Sequence, residues 1–224
     1  MKKPIFPILL FLSTIVNISF SAAGNLPIKE WAASSHDKPL LFYISGDGGF
    51  NKFSNDLCES LNEKGFDVVA LDAKSYFYNK KTPEQTTQDI ATYLSNKLNG
   101  RANSQVVFIG YSFGADVLPF VLNRLPKNIH DEVVVSFIMA SSGNTDFEIH
   151  WLDMLGSNKK RSMDVVTEIN KLIDEKIVII TANDDNNLDI KRISLKKYTL
   201  VVLPGGHHFD GDTDEIVQQI MKYL

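Results

Sequence analysis

Short apolar runs alternate with longer amphipathic segments along most of the chain. Several runs, such as 106–109 and 177–180, are continuously apolar, which is typical of strands buried on both faces of a sheet. The predicted strands span residues 39–44, 67–71, 105–109, 132–139, 176–181 and 198–203, with a short edge strand at 26–31. The predicted helices span residues 51–64, 83–98, 113–125, 162–174 and 212–224. This alternation predicts one α/β domain whose mostly parallel sheet is flanked by helices.

The amino-terminal pattern differs from the rest of the chain. Two lysines precede an apolar run at residues 8–20, and small residues follow at 21–23. This order is typical of a secretory signal peptide, so we expect cleavage after Ala23 and an exported domain of residues 24–224. An uncleaved anchor is the alternative, although polar residues interrupt the run before it reaches the ~20 apolar residues of a membrane span.

Charge and cysteine content exclude several classes of function. The chain has 23 basic and 27 acidic residues and no long basic stripe, so nucleic acid is not an expected partner. Cys58 is the single cysteine, and its helical context favours a buried apolar role over a reactive thiol. No set of His, Cys and acidic residues has zinc-ligand spacing, and we expect no metal or organic cofactor.

The third buried strand runs directly into Gly110-Tyr111-Ser112-Phe113-Gly114 and then into a helix. This is the G-x-S-x-G nucleophile elbow in its strand-turn-helix context. The turn is so tight that a side chain at either glycine position would clash, and it exposes the serine hydroxyl above the sheet. The pattern therefore predicts a compact α/β-hydrolase fold with Ser112 as the nucleophile.

A serine nucleophile needs a neighbouring base, which an acid orients. On this fold the chain order is serine, then acid, then histidine. Asp184 and Asp185 follow the predicted strand 176–181. We assign the acid to Asp185, three residues beyond the small Ala182, and keep Asp184 as the alternative.

Two adjacent histidines follow the predicted strand 198–203. The sequence Pro-Gly-Gly-His at residues 204–207 is similar to the glycine turn that often carries the catalytic histidine. We therefore assign the base to His207 and keep His208 as the alternative. All of these residues follow strand ends, where ligands bind in such sheets.

Acyl transfer also needs hydrogen-bond donors for the carbonyl oxygen that becomes negative. The expected donors are the backbone N–H of Phe113 and that of Asp47, in the glycine-rich loop after the first buried strand. Gly48 lets this loop approach a substrate closely, so Asp47 and Gly48 are candidate substrate-binding residues. Because a carboxylate beside an oxyanion hole opposes the transition state, Asp47 suggests a substrate that carries an amine, with a plain surface-turn aspartate as the alternative.

The same motifs resemble the VirJ family of bacterial virulence proteins and the homologous carboxyl-terminal domain of AcvB. The most specific matches are GYSFGADVLPF at 110–120 and LPGGHHFDG at 203–211. Supporting matches lie at residues 45–50, 76–85 and 146–150. The acid loop at 182–187 departs from the family pattern because it lacks the usual glycine and glutamates.

This resemblance implies a periplasmic hydrolase that releases lysine from lysyl-phosphatidylglycerol and is linked to type IV secretion and virulence. The implied partners are an aminoacylated phospholipid at the membrane surface and proteins of a secretion system. Asp116, Asp210 and Asp212, near the expected rim of the site, would attract a cationic headgroup, although Asp116 serves packing or capping equally well. A general exported carboxylesterase or lipase, and a non-catalytic docking module, are the competing interpretations.

Two further segments carry hypotheses about the membrane and the site entrance. Residues 75–81 mix aromatic rings with lysines, as at a membrane interface, or else their rings pack beneath a cap. Residues 144–160 are the expected location of a lid.

Overall fold

A computed structural model describes residues 26–149, 161–173 and 176–224. The predicted signal peptide at 1–23 and most of the predicted lid segment lie outside these residues. The described strands are β1 (Ile28–Trp31), β2 (Leu40–Ile44), β3 (Val68–Leu71), β4 (Val106–Tyr111), β5 (Val133–Met139), β6 (Asn144–Thr145), β7 (Met163–Asp164), β8 (Ile177–Ala182) and β9 (Thr199–Leu203). The described helices are α1 (Lys52–Glu63), α2 (Ala73–Tyr76), α3 (Pro83–Leu98), α4 (Phe113–Leu122), α5 (Lys127–His130), α6 (Val165–Ile169) and α7 (Thr213–Met221). Short 3₁₀ turns lie at Ile190–Arg192 and Phe209–Gly211.

The main sheet has the strand order β1-β3-β2-β4-β5-β8-β9. Only β1 runs antiparallel among its described strands, so the predicted mostly parallel sheet is confirmed. Every residue of β2, β3 and β4 is buried, as their continuous apolar runs predicted. Separate apolar cores lie on the two faces, and α3, α4 and α6 pack on one face while α1 and α7 pack on the other.

Local side chains cap the first turns of α3 and α7. Thr82 caps α3 with a capping box in which Gln85 takes part, and Pro83 occupies the first turn. Asp212 caps α7 by accepting a hydrogen bond from the Glu215 N–H at 3.0 Å. Asp212 therefore serves helix capping, which accounts for it without a ligand.

The structure differs from the sequence prediction between β5 and β8. The predicted helix 162–174 is shorter, because Met163–Asp164 pairs with Asn144–Thr145 as an antiparallel ribbon before α6 begins. Asp164 then caps α6 by accepting a hydrogen bond from the Thr167 N–H at 2.7 Å. None of the helices in the described ranges is long and apolar enough to cross a membrane.

Candidate active site

Ser112 lies at the turn between β4 and α4 in a strained backbone conformation, with φ 52° and ψ −117°. The two flanking glycines are required by close backbone approaches. A Cβ at Gly114 would lie 2.1 Å from the Ile44 carbonyl oxygen, and one at Gly110 would lie 2.7 Å from the Gly114 carbonyl oxygen. Both contacts are far below van der Waals distance, so the elbow forms only with glycine at these positions.

Three side chains from different loops meet at the carboxyl edge of the sheet. Ser112 Oγ lies 2.8 Å from Nε2 of His207, and Nδ1 of the same ring lies 2.7 Å from Oδ2 of Asp185. The Asp185 side chain is only 2 % exposed, and its Oδ1 accepts a hydrogen bond from the Asn187 N–H at 3.2 Å. With Nδ1–H donating to the carboxylate, Nε2 is left to accept the serine proton. The structure thus brings together the three residues assigned from the sequence.

The two alternative residues have other contacts. The Asp184 side chain is exposed, and its backbone N–H donates to the Gly205 carbonyl at 3.1 Å. His208 turns away from Ser112, and its Nδ1 lies 2.6 Å from the Tyr111 hydroxyl. The geometry therefore favours Asp185 over Asp184 and His207 over His208.

The loop that carries His207 is held by its own residues. The Phe209 ring is buried, and its N–H donates to the Gly206 carbonyl at 2.8 Å. Gly205 has φ +91°, and a Cβ there would lie 2.6 Å from the carboxyl carbon of Asp210. Asp210 also accepts a hydrogen bond from the Gly206 N–H at 3.4 Å. Asp210 therefore stabilises this loop. This structural role explains why the motif contains Asp210, and no ligand contact is needed to explain it.

The predicted oxyanion donors lie on two adjoining segments. A Cβ at Gly46 would lie 3.3 Å from the Ser112 Cβ, so the loop that carries Asp47 passes directly against the nucleophile. Within the described part of the chain, neither the Asp47 N–H nor the Phe113 N–H donates a hydrogen bond. The Phe113 N–H also begins α4, where the helix dipole favours negative charge. Both amides are therefore available to a carbonyl oxygen.

Buried polar contacts hold the loop that carries Asp47, residues 45–49, in place; we call it the oxyanion loop. Ser45 Oγ accepts a hydrogen bond from the Ala73 N–H at 3.0 Å and so anchors the loop to α2. Gly49 has φ +68°, and a Cβ there would lie 2.6 Å from Oδ1 of Asp72, the residue that caps α2. At Gly48 a Cβ would meet the Asn51 side chain at 3.2 Å, so this glycine also fits the tight entry to α1.

Asp116 was a candidate substrate-binding residue, but the structure places it in the protein interior. Its residue exposure is 1 %, and its carboxylate accepts hydrogen bonds from Ser141 Oγ at 2.7 Å, the Ser142 N–H at 2.7 Å and the Ser142 hydroxyl. A saturated, buried carboxylate cannot meet a lipid headgroup. Asp116 instead ties the first turn of α4 to the loop after β5, and burial raises its pKa to about 6 despite these donors.

The raised pKa of Asp116 predicts a pH dependence of stability. Because the folded protein binds this proton more tightly than the unfolded chain, Asp116 contributes stability at low pH that is lost as pH rises through about 6. We expect the free energy of unfolding of wild type, relative to Asp116→Asn, to fall by about 2 kcal/mol between pH 4 and pH 7. Urea unfolding of both proteins at the two pH values measures this difference, and parallel pH curves would contradict it.

Comparisons with known proteins identify the family and the fold of this chain. The family model described as bacterial virulence protein (VirJ) matches residues 38–224. This chain belongs to the VirJ family. A comparison with curated proteins gives no match. The match to the VirJ family covers β2 to α7, so it includes the elbow, the oxyanion loop and both loops that contact Ser112.

Several solved structures share the α/β-hydrolase fold. A lipase-esterase related protein from Clostridium acetobutylicum ATCC 824 has a TM-score of 0.64 at 15 % identity, with 89 % of this chain and 99 % of that chain covered. Est1E from Butyrivibrio proteoclasticus has a TM-score of 0.61 at 14 % identity, with 89 % and 96 % covered. The hydrolase MGS-MChE2, from a lagoon-sediment metagenome, has a TM-score of 0.60 at 18 % identity, with 89 % and 94 % covered. At these identities the similarity establishes the fold of this VirJ family member.

The aromatic segment singled out in the sequence is mostly internal in this VirJ family member. Tyr76 is 7 % exposed and Phe77 is fully buried, with its ring 5.0 Å from that of Phe113 and 5.8 Å from that of Phe147. Only Tyr78 of the three consecutive rings is exposed, at 61 %. Packing in the protein interior, rather than contact with a membrane, therefore explains the burial of Tyr76 and Phe77. The rings of Phe77 and Phe113 form an apolar wall beside the nucleophile.

Two residues near the site, Arg161 and Tyr111, make contacts that the sequence pattern does not predict. The Arg161 side chain is 20 % exposed and lies 3.9 Å from Asp146, with its guanidinium 5.9 Å from the Phe113 ring centre. Tyr111 was treated only as the variable residue of the elbow, although its ring is buried against the loop that carries His207. The family motifs contain Tyr111 and Asp146 but give no sign of these contacts.

Proposed function

We propose that this protein is a serine hydrolase that cleaves aminoacyl esters of phosphatidylglycerol, with lysyl-phosphatidylglycerol as its substrate. The hydrogen-bonded row from Ser112 through His207 to Asp185 carries this proposal. Membership of the VirJ family supports the link to bacterial virulence.

Acylation follows from this arrangement. His207 Nε2 takes the Ser112 proton while Oγ attacks the ester carbonyl carbon, and Asp185 orients and stabilises the protonated imidazole. The carbonyl oxygen becomes negative and accepts hydrogen bonds from the N–H groups of Phe113 and Asp47. The intermediate then expels the glycerol oxygen of the lipid, which receives the proton from Nε2, and the aminoacyl group remains on Ser112.

Deacylation repeats the same proton transfers with water. His207 Nε2 removes a proton from water as its oxygen attacks the aminoacyl carbonyl carbon. The second tetrahedral intermediate releases the free amino acid, and the proton on Nε2 returns to Ser112 Oγ. The products are the amino acid and phosphatidylglycerol.

The charge near the ester supports an aminoacyl substrate. Asp47 is half-buried in the loop that passes against Ser112, and its carboxylate accepts no hydrogen bond from the described residues. An α-ammonium group next to the scissile ester would offset this negative charge, whereas a simple fatty-acyl ester would leave it uncompensated near the developing oxyanion. Asp47 therefore favours substrates with an amine beside the carbonyl.

Direct assay of the lipid tests this function. Purified protein is incubated with vesicles that contain lysyl-phosphatidylglycerol, and free lysine and phosphatidylglycerol are measured by mass spectrometry. We expect both products to form in equal amounts with wild type. Cleavage of short-chain acyl esters without any release of lysine would instead support a general carboxylesterase. This second candidate is favoured by the similarity between the fold of this chain and that of a lipase-esterase related protein.

Substrate preference should change when the charge of Asp47 is removed. We expect Asp47→Asn to lower kcat/KM for aminoacyl esters about tenfold, because an ammonium contact is lost, and to lower it less for acetyl esters. Asp56→Asn is the matched control, since Asp56 lies on the exposed surface of α1 and pairs with Lys52. Equal losses on the two ester classes would remove Asp47 from substrate recognition.

The predicted signal peptide would bring this activity to the periplasm. We propose that the reaction occurs at the periplasmic membrane surface, where the protein can reach its lipid substrate and the proteins of a secretion system. Fractionation of cells that express the protein tests this location, and recovery of uncleaved protein from the cytoplasm would contradict it.

A further inference from the structure

The hydrogen bonds within the His207 loop define its shape but not its distance from Ser112. The bond from the Phe209 N–H to the Gly206 carbonyl closes the loop on itself, and the Asp184 N–H joins it to the acid loop. Proton transfer needs Nε2 within hydrogen-bond distance of Ser112 Oγ. A contact between this loop and the strand that carries the nucleophile would set that distance.

Tyr111 supplies such a contact. It is the last residue of β4 and directly precedes Ser112. Its hydroxyl lies 2.6 Å from Nδ1 of His208 and 3.5 Å from the carbonyl oxygen of His207. The hydroxyl has one proton, and the shorter distance assigns that proton to Nδ1, so His208 accepts the bond.

The three rings pack around one another. The His207 and His208 ring centres are 5.3 Å apart with an interplanar angle of 74°, an edge-to-face arrangement. The Tyr111 ring centre lies 6.2 Å from that of His207 and 6.4 Å from that of His208. Holding His208 therefore also restricts movement of the His207 imidazole.

Tyr111 is itself rigid and remains a donor. It is 2 % exposed, and its ring centre lies 4.5 Å from that of Phe53 at the start of α1. Burial, together with the carboxylates of Asp47 and Asp185, raises the pKa of its hydroxyl well above the ordinary value. The hydroxyl therefore keeps its proton throughout the pH range in which the protein would act.

We propose that Tyr111 and His208 form a clamp that positions His207 for proton transfer with Ser112. The clamp rests on the proposed serine hydrolase function and adds two positioning residues to it. Neither residue exchanges a proton with the substrate. Each keeps the imidazole aligned as its charge changes, so loss of the clamp affects the chemical step more than substrate binding.

Removal of the hydroxyl alone tests the clamp. We expect Tyr111→Phe to lower kcat for a p-nitrophenyl ester about tenfold with KM within about twofold of wild type. Labelling of Ser112 by a fluorophosphonate should slow by a similar factor, because it uses the same base. Tyr93→Phe is the control, since its hydroxyl lies 2.5 Å from Glu30 at the far edge of the sheet, and we expect wild-type rates from it.

A conservative exchange at His208 separates positioning from packing. The Oδ1 of an asparagine lies close to the place of the histidine Nδ1, so His208→Asn keeps an acceptor for Tyr111. His208→Leu removes the acceptor and retains an apolar side chain. We expect His208→Asn to keep most of the wild-type kcat and His208→Leu to lose as much as Tyr111→Phe, with no additional loss in the double variant Tyr111→Phe/His208→Leu.

Each outcome of these measurements decides the proposal. Wild-type labelling and kcat in both Tyr111→Phe and His208→Leu would overturn the clamp and leave the serine hydrolase function intact. Equal losses in His208→Asn and His208→Leu would also overturn it, because an acceptor would then have no effect. A wild-type protein that is not labelled at Ser112 would overturn the hydrolase function, and the clamp with it.

Discussion

Ser112→Ala is expected to lower ester hydrolysis by about 10³- to 10⁶-fold, because the attacking oxygen is lost and only binding and the oxyanion donors remain. The measurement is kcat/KM for an aminoacyl ester and for a p-nitrophenyl ester. Fold stability should change little, since Ser112 is partly exposed and alanine adds no atoms to the turn.

Ser104→Ala provides a matched control for this variant. Ser104 precedes β4 at the opposite end from the elbow, and its hydroxyl donates to Glu132 at 2.8 Å. We expect its activity to equal that of wild type. If Ser112→Ala retained more than about a tenth of the wild-type rate, Ser112 would not be the nucleophile. If the Ser112→Ala variant lost hydrolysis but kept a role in virulence, the protein would act in virulence as a non-catalytic docking module.

Asp185→Asn is expected to lower kcat by about 10⁴-fold, since an amide at this position favours the wrong imidazole tautomer and no longer stabilises the protonated ring. Its neighbour gives an unusually close control. Asp184→Asn makes the same chemical change one residue away, on an exposed side chain, and should leave kcat within about twofold of wild type.

The comparison of these two variants also tests the loop geometry. Asp185 is held with its Oδ2 2.7 Å from His207 Nδ1, while the Asp184 backbone contacts Gly205. A larger loss in Asp184→Asn than in Asp185→Asn would show that the acid loop adopts a different arrangement during catalysis.

The sequence predicted the sheet and the elbow well because both depend on local pattern. Continuous apolar runs identify strands buried on two faces, and a tight strand-to-helix turn admits only glycine beside Ser112. The order of Ser112, Asp185 and His207 follows from the fold. The local pattern also favoured Asp185 and His207, but it left Asp184 and His208 as alternatives, because only the side-chain directions separate two adjacent loop residues.

The remaining features depend on contacts between distant segments. The clamp joins Tyr111 to His208, and the burial of Asp116 depends on Ser141 and Ser142 after β5. The periodicity of apolar residues along the chain does not predict contacts between residues that are distant in sequence. The ribbon of β6 and β7 escaped prediction for a related reason, because two-residue strands carry too few positions for an alternating pattern.

The most direct test of the account is to locate the nucleophile chemically. The purified protein is treated with a fluorophosphonate, digested with trypsin and sequenced by mass spectrometry. The peptide of residues 102–124 contains both Ser104 and Ser112, so it provides its own internal control. We expect one adduct, on Ser112. An adduct on another residue, or an unmodified protein, would contradict it.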